Sequence, residues 1–402
     1  MFEDRVLSGM RPTGQMHLGH YHGALKNWVR LQNEFPCLFF AADWHALTTH
    51  YEDPSVIEQT VWDMFIDWLS VGIDPTKATL FIQSRVPQHA ELTLLLSFFT
   101  PLSWLERVPS YKDLVEKHAE QGRDVLTYGF LGYPLMQAAD ILIYRATAVP
   151  VGEDQVSHIE FTREVARRFN HLFGREKGFE EKAEAAVKKM GPKKAKLYRS
   201  LRQRFQEQGE TAALDEARAL VNDVQNLSLG DKERLYGFLE GGGRMILSEP
   251  EAKLTETPKL LGLDGGKMSK SSDNTIMLRE KPESVTQKIR KMQTDPARVR
   301  RTDPGEPERC PVWNLHQVYS TQDVKDWVWK GCTTAGIGCL ECKQPVIDAI
   351  NAELAPIRER AAQYEEDPML VRNIIQDGCE KASDLADETM RDVRQAMGLN
   401  YG

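Results

Sequence analysis

The stretch Arg5-Val-Leu-Ser-Gly-Met-Arg-Pro-Thr-Gly-Gln-Met-His-Leu-Gly-His20, with the Tyr21–Leu31 segment behind it, decides the fold. Arg5–Leu7 is a short apolar start, Gly9–Gly14 reads as a Gly/Pro/Thr loop, and Tyr21, Ala24, Leu25, Trp28 and Leu31 then recur at helical spacing. A strand, a tight turn and a helix start, in that order, present free backbone N–H groups and the positive end of a helix dipole to one point, which suits an anion. His17 and His20, three residues apart at that point, can donate hydrogen bonds to phosphate oxygens. Gly19 between them lets a flat ring or a phosphate come close to the backbone. A four-residue match of this kind also fits two surface histidines near a helix cap. The preceding Ser8–Gly14 loop adds glycine freedom, a cation at Arg11 and a hydroxyl at Thr13.

The alternation continues downstream. Leu38–Ala42 reads as a buried strand, Ile57–Leu69 as an amphipathic helix, Thr79–Gln83 as a strand, and Leu92–Phe99 as the opening of another helix. Strands alternating with helices predict an α/β fold, a Rossmann-like parallel sheet covered on both faces. The segment 175–250 differs. Its first part, 175–204, has eleven Lys/Arg against four Asp/Glu, and 205–250 has four against nine. The pattern reads as a solvated helical insertion with apolar spacing at Leu197, Leu201 and Phe205, and contact of the basic half with a polyanion is the second reading. An apolar return spans Leu254–Leu263. Beyond residue 281 the chain reads as mainly helical.

Whole-chain properties narrow the class. The 402 residues carry 51 Lys/Arg and 59 Asp/Glu, so bulk positive charge does not draw this protein onto nucleic acid, although a local basic patch could. The beginning, Met1-Phe-Glu-Asp-Arg5, lacks the basic and apolar regions of a signal peptide, and no apolar run approaches the ~18 residues of a membrane span. A cytoplasmic protein with no membrane partner is expected. Six cysteines are too few for a disulfide scaffold, yet four of them, Cys310, Cys332, Cys339 and Cys342, fall within 33 residues. Four thiolates suit tetrahedral zinc or a four-iron four-sulfur cluster, and spacing alone leaves both open. Cys37 and Cys379 read as lone buried thiols.

A second loop completes the chemistry. Lys267-Met268-Ser269-Lys270-Ser271 follows Asp264-Gly265-Gly266, and its lysines and hydroxyls on a glycine hinge suit a mobile clamp for transient charge. His-x-Gly-His near the start and Lys-Met-Ser-Lys-Ser some 250 residues later are together far more specific than either alone. With Ser8–Trp28, Asp43–Thr49, Tyr133–Tyr144, Val151–Asn170 and Thr294–Arg300, they make the chain resemble the class I aminoacyl-tRNA synthetases that activate tryptophan and tyrosine. The likeness is nearest to the bacterial tryptophanyl-tRNA synthetases, and the context of Cys310 and Cys332 resembles a subset carrying an iron–sulfur cluster.

The resemblance implies a Rossmann-like domain over 1–174, an insertion over 175–250, a return over 251–280 with the second signature, and a helical anticodon-binding domain over 281–402. It implies activation of L-tryptophan by ATP with Mg²⁺, transfer to tRNA(Trp), and a homodimer. His17, His20, Lys267, Ser269 and Lys270 would serve catalysis. Arg11, Pro12, Thr13, Gly19, His20, Gly152, Glu153, Asp154 and the Lys267–Ser271 loop would hold ATP. Gly9, His45, Tyr133, Gln137, Asp140 and Gln155 would line the tryptophan site, with Asp140 accepting the indole N–H. It favours iron–sulfur over zinc at the four cysteines. Gln137 beside Asp140 is also similar to some tyrosyl-tRNA synthetases, which leaves tyrosine as the rival substrate. A non-catalytic RNA-binding relative, and a small nucleotidyltransferase sharing His-x-Gly-His, are weaker rivals. The distance in sequence between the cysteines and the ATP signatures predicts that losing the cluster spares the first chemical step.

Overall fold

The computed structural model describes residues 2–109, 127–174, 178–254, 260–269 and 272–401, without the side chains of Asp154 and Leu254. Five strands, β1 (Val6–Met10), β2 (Cys37–Ala41), β3 (Ala78–Ile82), β4 (Ala148–Val151) and β5 (Glu251–Leu254), form one sheet in the order β3-β2-β1-β4-β5. Every pairing is parallel, with Leu7 opposite Leu38 and Phe39 opposite Leu80. The Rossmann-like expectation is met. Strand β1 runs on to Met10, however, so Ser8–Met10, read partly as loop, belong to the sheet. Gly9 permits this, because a Cβ there would stand 2.4 Å from the Phe40 ring packed across it.

The element after the first loop is not one uniform helix. Helix α1 (Leu18–His20) passes into a π-helical turn, Tyr21–Leu25, and regular geometry resumes in α2 (Lys26–Leu31). Trp28 of α2 stacks on Phe39 at 4.3 Å and meets Trp68 edge-on at 5.0 Å. Those rings anchor α2 and α4 (Ser55–Ser70) to the sheet. Helices α3 (Asp43–His50), α5 (Gln88–Ser97), α6 (Tyr133–Leu142) and α7 (Val156–Phe173) complete the covering layers.

Helices α8 (Phe179–Lys189), α9 (Pro192–Gln208), α10 (Thr211–Asn222) and α11 (Leu229–Leu239) enclose a second, smaller core around Tyr198, Leu201, Val221 and Leu235. The buried face of α9 carries Ala195, Tyr198 and Leu201, while Leu197, expected among the apolar positions, is 44% exposed. The charge asymmetry of 175–250 closes on itself. Lys189 pairs with Asp231 at 2.8 Å, Lys194 with Asp223 at 2.6 Å, and Arg204 with Glu210 at 2.5 Å. This favours the reading of a solvated insertion over a polyanion surface.

The C-terminal helices are α12 (Pro282–Lys291), α13 (Pro311–Tyr319), α14 (Gln322–Thr333), α15 (Cys339–Glu366) and α16 (Pro368–Ala396). They share the main core with the sheet: Ile350, Leu354, Ile375 and Met390 belong to the same buried cluster as Phe39 and Trp68. Helix α16 covers the open edge of β3, with Gly378 laid against the Leu80 backbone. Gly378 makes that approach possible, since a Cβ there would lie 1.8 Å from the Leu80 carbonyl oxygen. Gly378→Ala is therefore expected to cost about 1–3 kcal/mol through overpacking, measured by denaturant titration. Wild-type stability in that variant would mean the helix yields freely.

Candidate active site

The strand order reverses between β1 and β4, and both carboxyl ends open there, where open α/β sheets bind ligands. The loop after β1 leads to His17 and α1, and the turn after β4 is Gly152–Gln155, a short 3₁₀ turn opening α7. The two signatures sit on either side of this opening and touch. The Gly19 N–H donates to Met268 Sδ at 3.3 Å, and a Cβ on Gly19 would stand 3.0 Å from the His17 ring and 3.3 Å from Met268 Cβ. The His17 and His20 rings lie 3.7 Å apart. Leu18 donates its N–H to the Ile276 carbonyl at 2.9 Å and Leu278 to Met16 at 3.0 Å, stitching the segment after the second signature to the first. Buried Asp67 reinforces the seam, accepting from the Met16 N–H at 2.9 Å and from Arg279 Nε at 2.7 Å.

Arg11, Thr13, Gly152 and Glu153 are exposed around the opening, Pro12 is buried beneath it, and Gln155 is half-buried. Of the second signature, Lys267 is exposed, Met268 is buried and Ser269 is half-buried; Lys270 and Ser271 lie outside the described residues, as does the side chain of Asp154. Sequence reading missed the residue that organises this loop. Buried Asn274 donates to Asp264 at 2.7 Å and to the Lys267 carbonyl at 3.0 Å, and accepts from the Ser269 N–H at 2.8 Å. The Gly265 hinge has φ +80°, a conformation natural to glycine.

Tyr133, Gln137 and Asp140 fall along one side of α6, as their spacing predicts. The His45 ring meets Tyr133 edge-on at 4.3 Å, and His45 Nε2 donates to Asp140 at 2.8 Å. Two partners not named from sequence complete the shell: Gln83 Nε2 reaches both Asp140 oxygens at 2.8 and 3.0 Å, and His89 Nδ1 donates at 2.6 Å. Buried His89 sits in the first turn of α5, just before the apolar run Leu92–Leu96, which is the one sequence signal that could have exposed it, while buried Gln83 lies in the 3₁₀ turn that follows β3. Burial by itself pushes the Asp140 carboxyl up, but the His45 charge and the hydrogen bonds from His45 and His89 outweigh it and hold Asp140 below the usual carboxylate range. Tyr133 is raised by burial, with Arg11 close enough to oppose that rise. Gln137 pairs with His158 at 2.5 Å.

Behind α1, the π-helical turn is tied to the C-terminal helices. His22 Nε2 lies 2.9 Å from the Tyr319 hydroxyl and 3.0 Å from Glu353, Tyr319 donates to Glu353 at 2.8 Å, and Lys26 donates to Glu353 at 2.6 Å. Burial would raise Glu353, yet hydrogen bonds from His22 and Lys26, the His22 charge and the Tyr319 hydroxyl bring it down to about 2. A depressed carboxyl contributes stability above its ordinary pKa and loses it as pH falls through the folded value. Between about pH 5 and pH 3, the wild type is expected to lose on the order of 2 kcal/mol that Glu353→Gln does not lose. Parallel acid titrations of the two would remove Glu353 from this role.

Of the four clustered cysteines, Cys310 caps the start of α13, Cys339 and Cys342 lie in the first turn of α15, and Cys332 lies in the last turn of α14. Burial first, then the neighbouring thiols of Cys310, Cys332 and Cys339, push Cys342 up to about 12. Arg298 stands 3.8 Å from Cys332 Sγ and His316 Nε2 3.4 Å from Cys342 Sγ. Among the described residues, no three His, Cys, Asp or Glu side chains stand close enough to hold one metal ion together.

Comparison with known proteins follows the same lines. The family model of class I tRNA synthetases (W and Y) matches residues 3–197 and 231–355. A tryptophan–tRNA ligase of Ralstonia nicotianae is 67% identical over 401 residues, covering 100% of both chains, and one of Thermotoga maritima is 44% identical, covering 99% of this chain and 100% of its own. The crystal structure of tryptophanyl-tRNA synthetase from Campylobacter jejuni, complexed with ADP and tryptophan, superposes with a TM-score of 0.72 at 28% identity, over 98% of this chain and 100% of that one. With its two nucleotide signatures in contact at the switch point of a parallel sheet, the chain belongs to the class I tRNA synthetases of the tryptophan and tyrosine type.

Proposed function

We propose that this enzyme is a tryptophan–tRNA ligase, which activates L-tryptophan with ATP to tryptophanyl-adenylate and pyrophosphate and then charges tRNA(Trp). The contact of Gly19 with Met268 carries the reading, because it puts the phosphate-binding helix start and the lysine loop side by side. The tryptophan carboxylate oxygen attacks the α-phosphorus, and the bond to the bridging oxygen of pyrophosphate breaks. Such a reaction needs positioning and charge neutralisation more than a covalent nucleophile.

In this reading Arg11, Pro12, Thr13, Gly19 and His20 hold ATP from one side, with His17 buttressing His20. Gly152, Glu153 and Asp154 face its ribose and adenine, and Lys267–Ser271 close over the triphosphate. Mg²⁺ supplies further positive charge to the phosphates. Tyr133, Gln137, His45, Gly9 and Gln155 frame the amino acid. Asp140 has both oxygens engaged, so it accepts the indole N–H in exchange for the longer, 3.0 Å arm from Gln83.

We read Cys310, Cys332, Cys339 and Cys342 as ligands of a four-iron four-sulfur cluster. The donor set suits it chemically, since four thiolates ligate such a cluster, and Cys310, Cys332 and Cys339 stand near enough to Cys342 to act on its thiol. The division of the chain into catalytic, inserted and anticodon-binding parts is likewise our reading, supported by the separate core of α8–α11. So is a homodimer, for which the apolar groove lined by Trp44, Leu47, Tyr51, Tyr128 and Leu135 is a suitable seat. No helix among the described residues is long and apolar enough to cross a membrane, and work on tRNA fits the cytoplasm.

Pyrophosphate exchange with tryptophan and with tyrosine, each alone, tests the assignment. Exchange only with tryptophan is expected, and exchange only with tyrosine would replace it. Anaerobically purified protein should hold about four irons per chain, whereas stoichiometric zinc would exclude the cluster.

A further inference from the structure

Helix α13 makes contacts at both of its ends. Cys310 is its N-cap residue, and Pro311 follows in its first turn. Gly265, the hinge of the lysine loop, packs against Pro311 so closely that a Cβ would stand 3.3 Å from Pro311 Cγ. In the middle of the helix, His316 Nε2 bonds the Cys342 carbonyl at 3.1 Å and its Nδ1 the Ser320 hydroxyl at 2.7 Å. At the far end, Tyr319 joins His22 and Glu353. One nine-residue helix thus touches two of the four cysteines, the hinge of the second ATP signature and the turn that follows the first.

The π-helical turn Tyr21–Leu25 needs such support. Its backbone geometry is less favourable than that of the α-helices flanking it, and turns of this kind persist where the surroundings hold them. The external polar ties of buried His22 run to α13 and α15, through Tyr319 and Glu353. A nine-residue helix is also short and stiff, about 14 Å long, so a shift at Cys310 reaches Tyr319 with little loss.

We propose that α13 is a strut coupling the four-cysteine site to adenylate formation, with Tyr319, Glu353 and His22 as positioning residues for the two ATP signatures. It rests on the ligase reading and on the cysteines holding a metal group. Cys310 and Cys342 would hold that group from α13 and from the first turn of α15, and a strut anchored there would keep the Gly265 hinge and the His22 turn in register. Separation in sequence does not make the cysteines independent of the first chemical step, which reverses the expectation drawn from sequence.

The test compares wild type, Tyr319→Phe, Cys342→Ser and the double variant, by tryptophan-dependent exchange kinetics, by tryptophan binding without ATP, and by amide hydrogen exchange. Each single variant is expected to lose about tenfold in kcat, with tryptophan binding unchanged. The double variant should be no slower than the slower single one, as for residues acting through one element. Amide exchange at residues 18–26 should accelerate in all three. Wild-type kcat and wild-type protection at 18–26 in Tyr319→Phe would overturn the strut, even if Cys342→Ser fails to fold. So would kcat losses that multiply in the double variant. A wild-type protein with no tryptophan-dependent exchange would instead overturn the ligase reading, and the protection data would still judge the strut.

Discussion

Replacing Lys267 with alanine is expected to slow tryptophan-dependent pyrophosphate exchange by about two to three orders of magnitude, the usual loss for one preorganised transition-state donor. Its ammonium is exposed on a loop that Asn274 ties from within and that turns on Gly265 at φ +80°. The loop therefore has a fixed base, from which the exposed Lys267 can meet the phosphates. Negative charge on the pyrophosphate oxygens grows as the bond to the α-phosphorus breaks, and a cation met there lowers the barrier more than it tightens the ground state. Tryptophan binding without ATP should stay as in the wild type. A variant with the wild-type exchange rate would remove Lys267 from the chemistry.

Asp140→Ala is expected to combine the largest stability loss with the largest change in amino-acid choice. Asp140 is 1% exposed and receives hydrogen bonds from His45, Gln83 and His89, which are themselves buried. Removing the carboxylate leaves three buried donors without an acceptor, a change that costs about 3–5 kcal/mol when a buried pair loses one partner. His45 also loses the bond that fixes its ring against Tyr133, so the site we propose for the indole loses shape as well as its proposed acceptor. Discrimination between tryptophan and phenylalanine should fall, since a site that hydrogen-bonds a substrate N–H rejects the analogue lacking it. Denaturation midpoints and the ratio of kcat/KM for the two amino acids measure both effects. An unchanged ratio in a destabilised protein would shift the specificity role to Gln137.

How much of this could be read beforehand followed the range of the interactions. The strands at Leu38–Ala42 and Thr79–Gln83 were legible because strands buried on both faces read as unbroken apolar runs, and the structure places them at Cys37–Ala41 and Ala78–Ile82. The signatures were legible because their chemistry is packed into a few adjacent residues. Gly9 misled: it looks like a turn residue, yet it sits in β1 because Phe40, on the neighbouring strand, needs the space. Asn274, Gln83 and the Glu353–Tyr319–His22 group have no local signature. Each is an ordinary polar residue whose meaning comes from a partner brought near by the fold, across 331 positions in the case of His22 and Glu353. Leu197 shows the remaining limit, since an apolar residue at helical spacing can still end up facing water.

The helix laid along β3 also sets a timetable. During synthesis, β3 leaves the ribosome with its outer amides and carbonyls bare, while the segment that covers them, Pro368–Ala396, is made much later. Roughly 300 residues separate Ile82 from Cys379, which at bacterial elongation rates is on the order of 15–60 s of exposure for a strand edge able to pair with any neighbour. The nascent chain is thus most vulnerable to sticking to its own copies on a polysome, and a chain stopped short of Pro368 keeps that vulnerability for good.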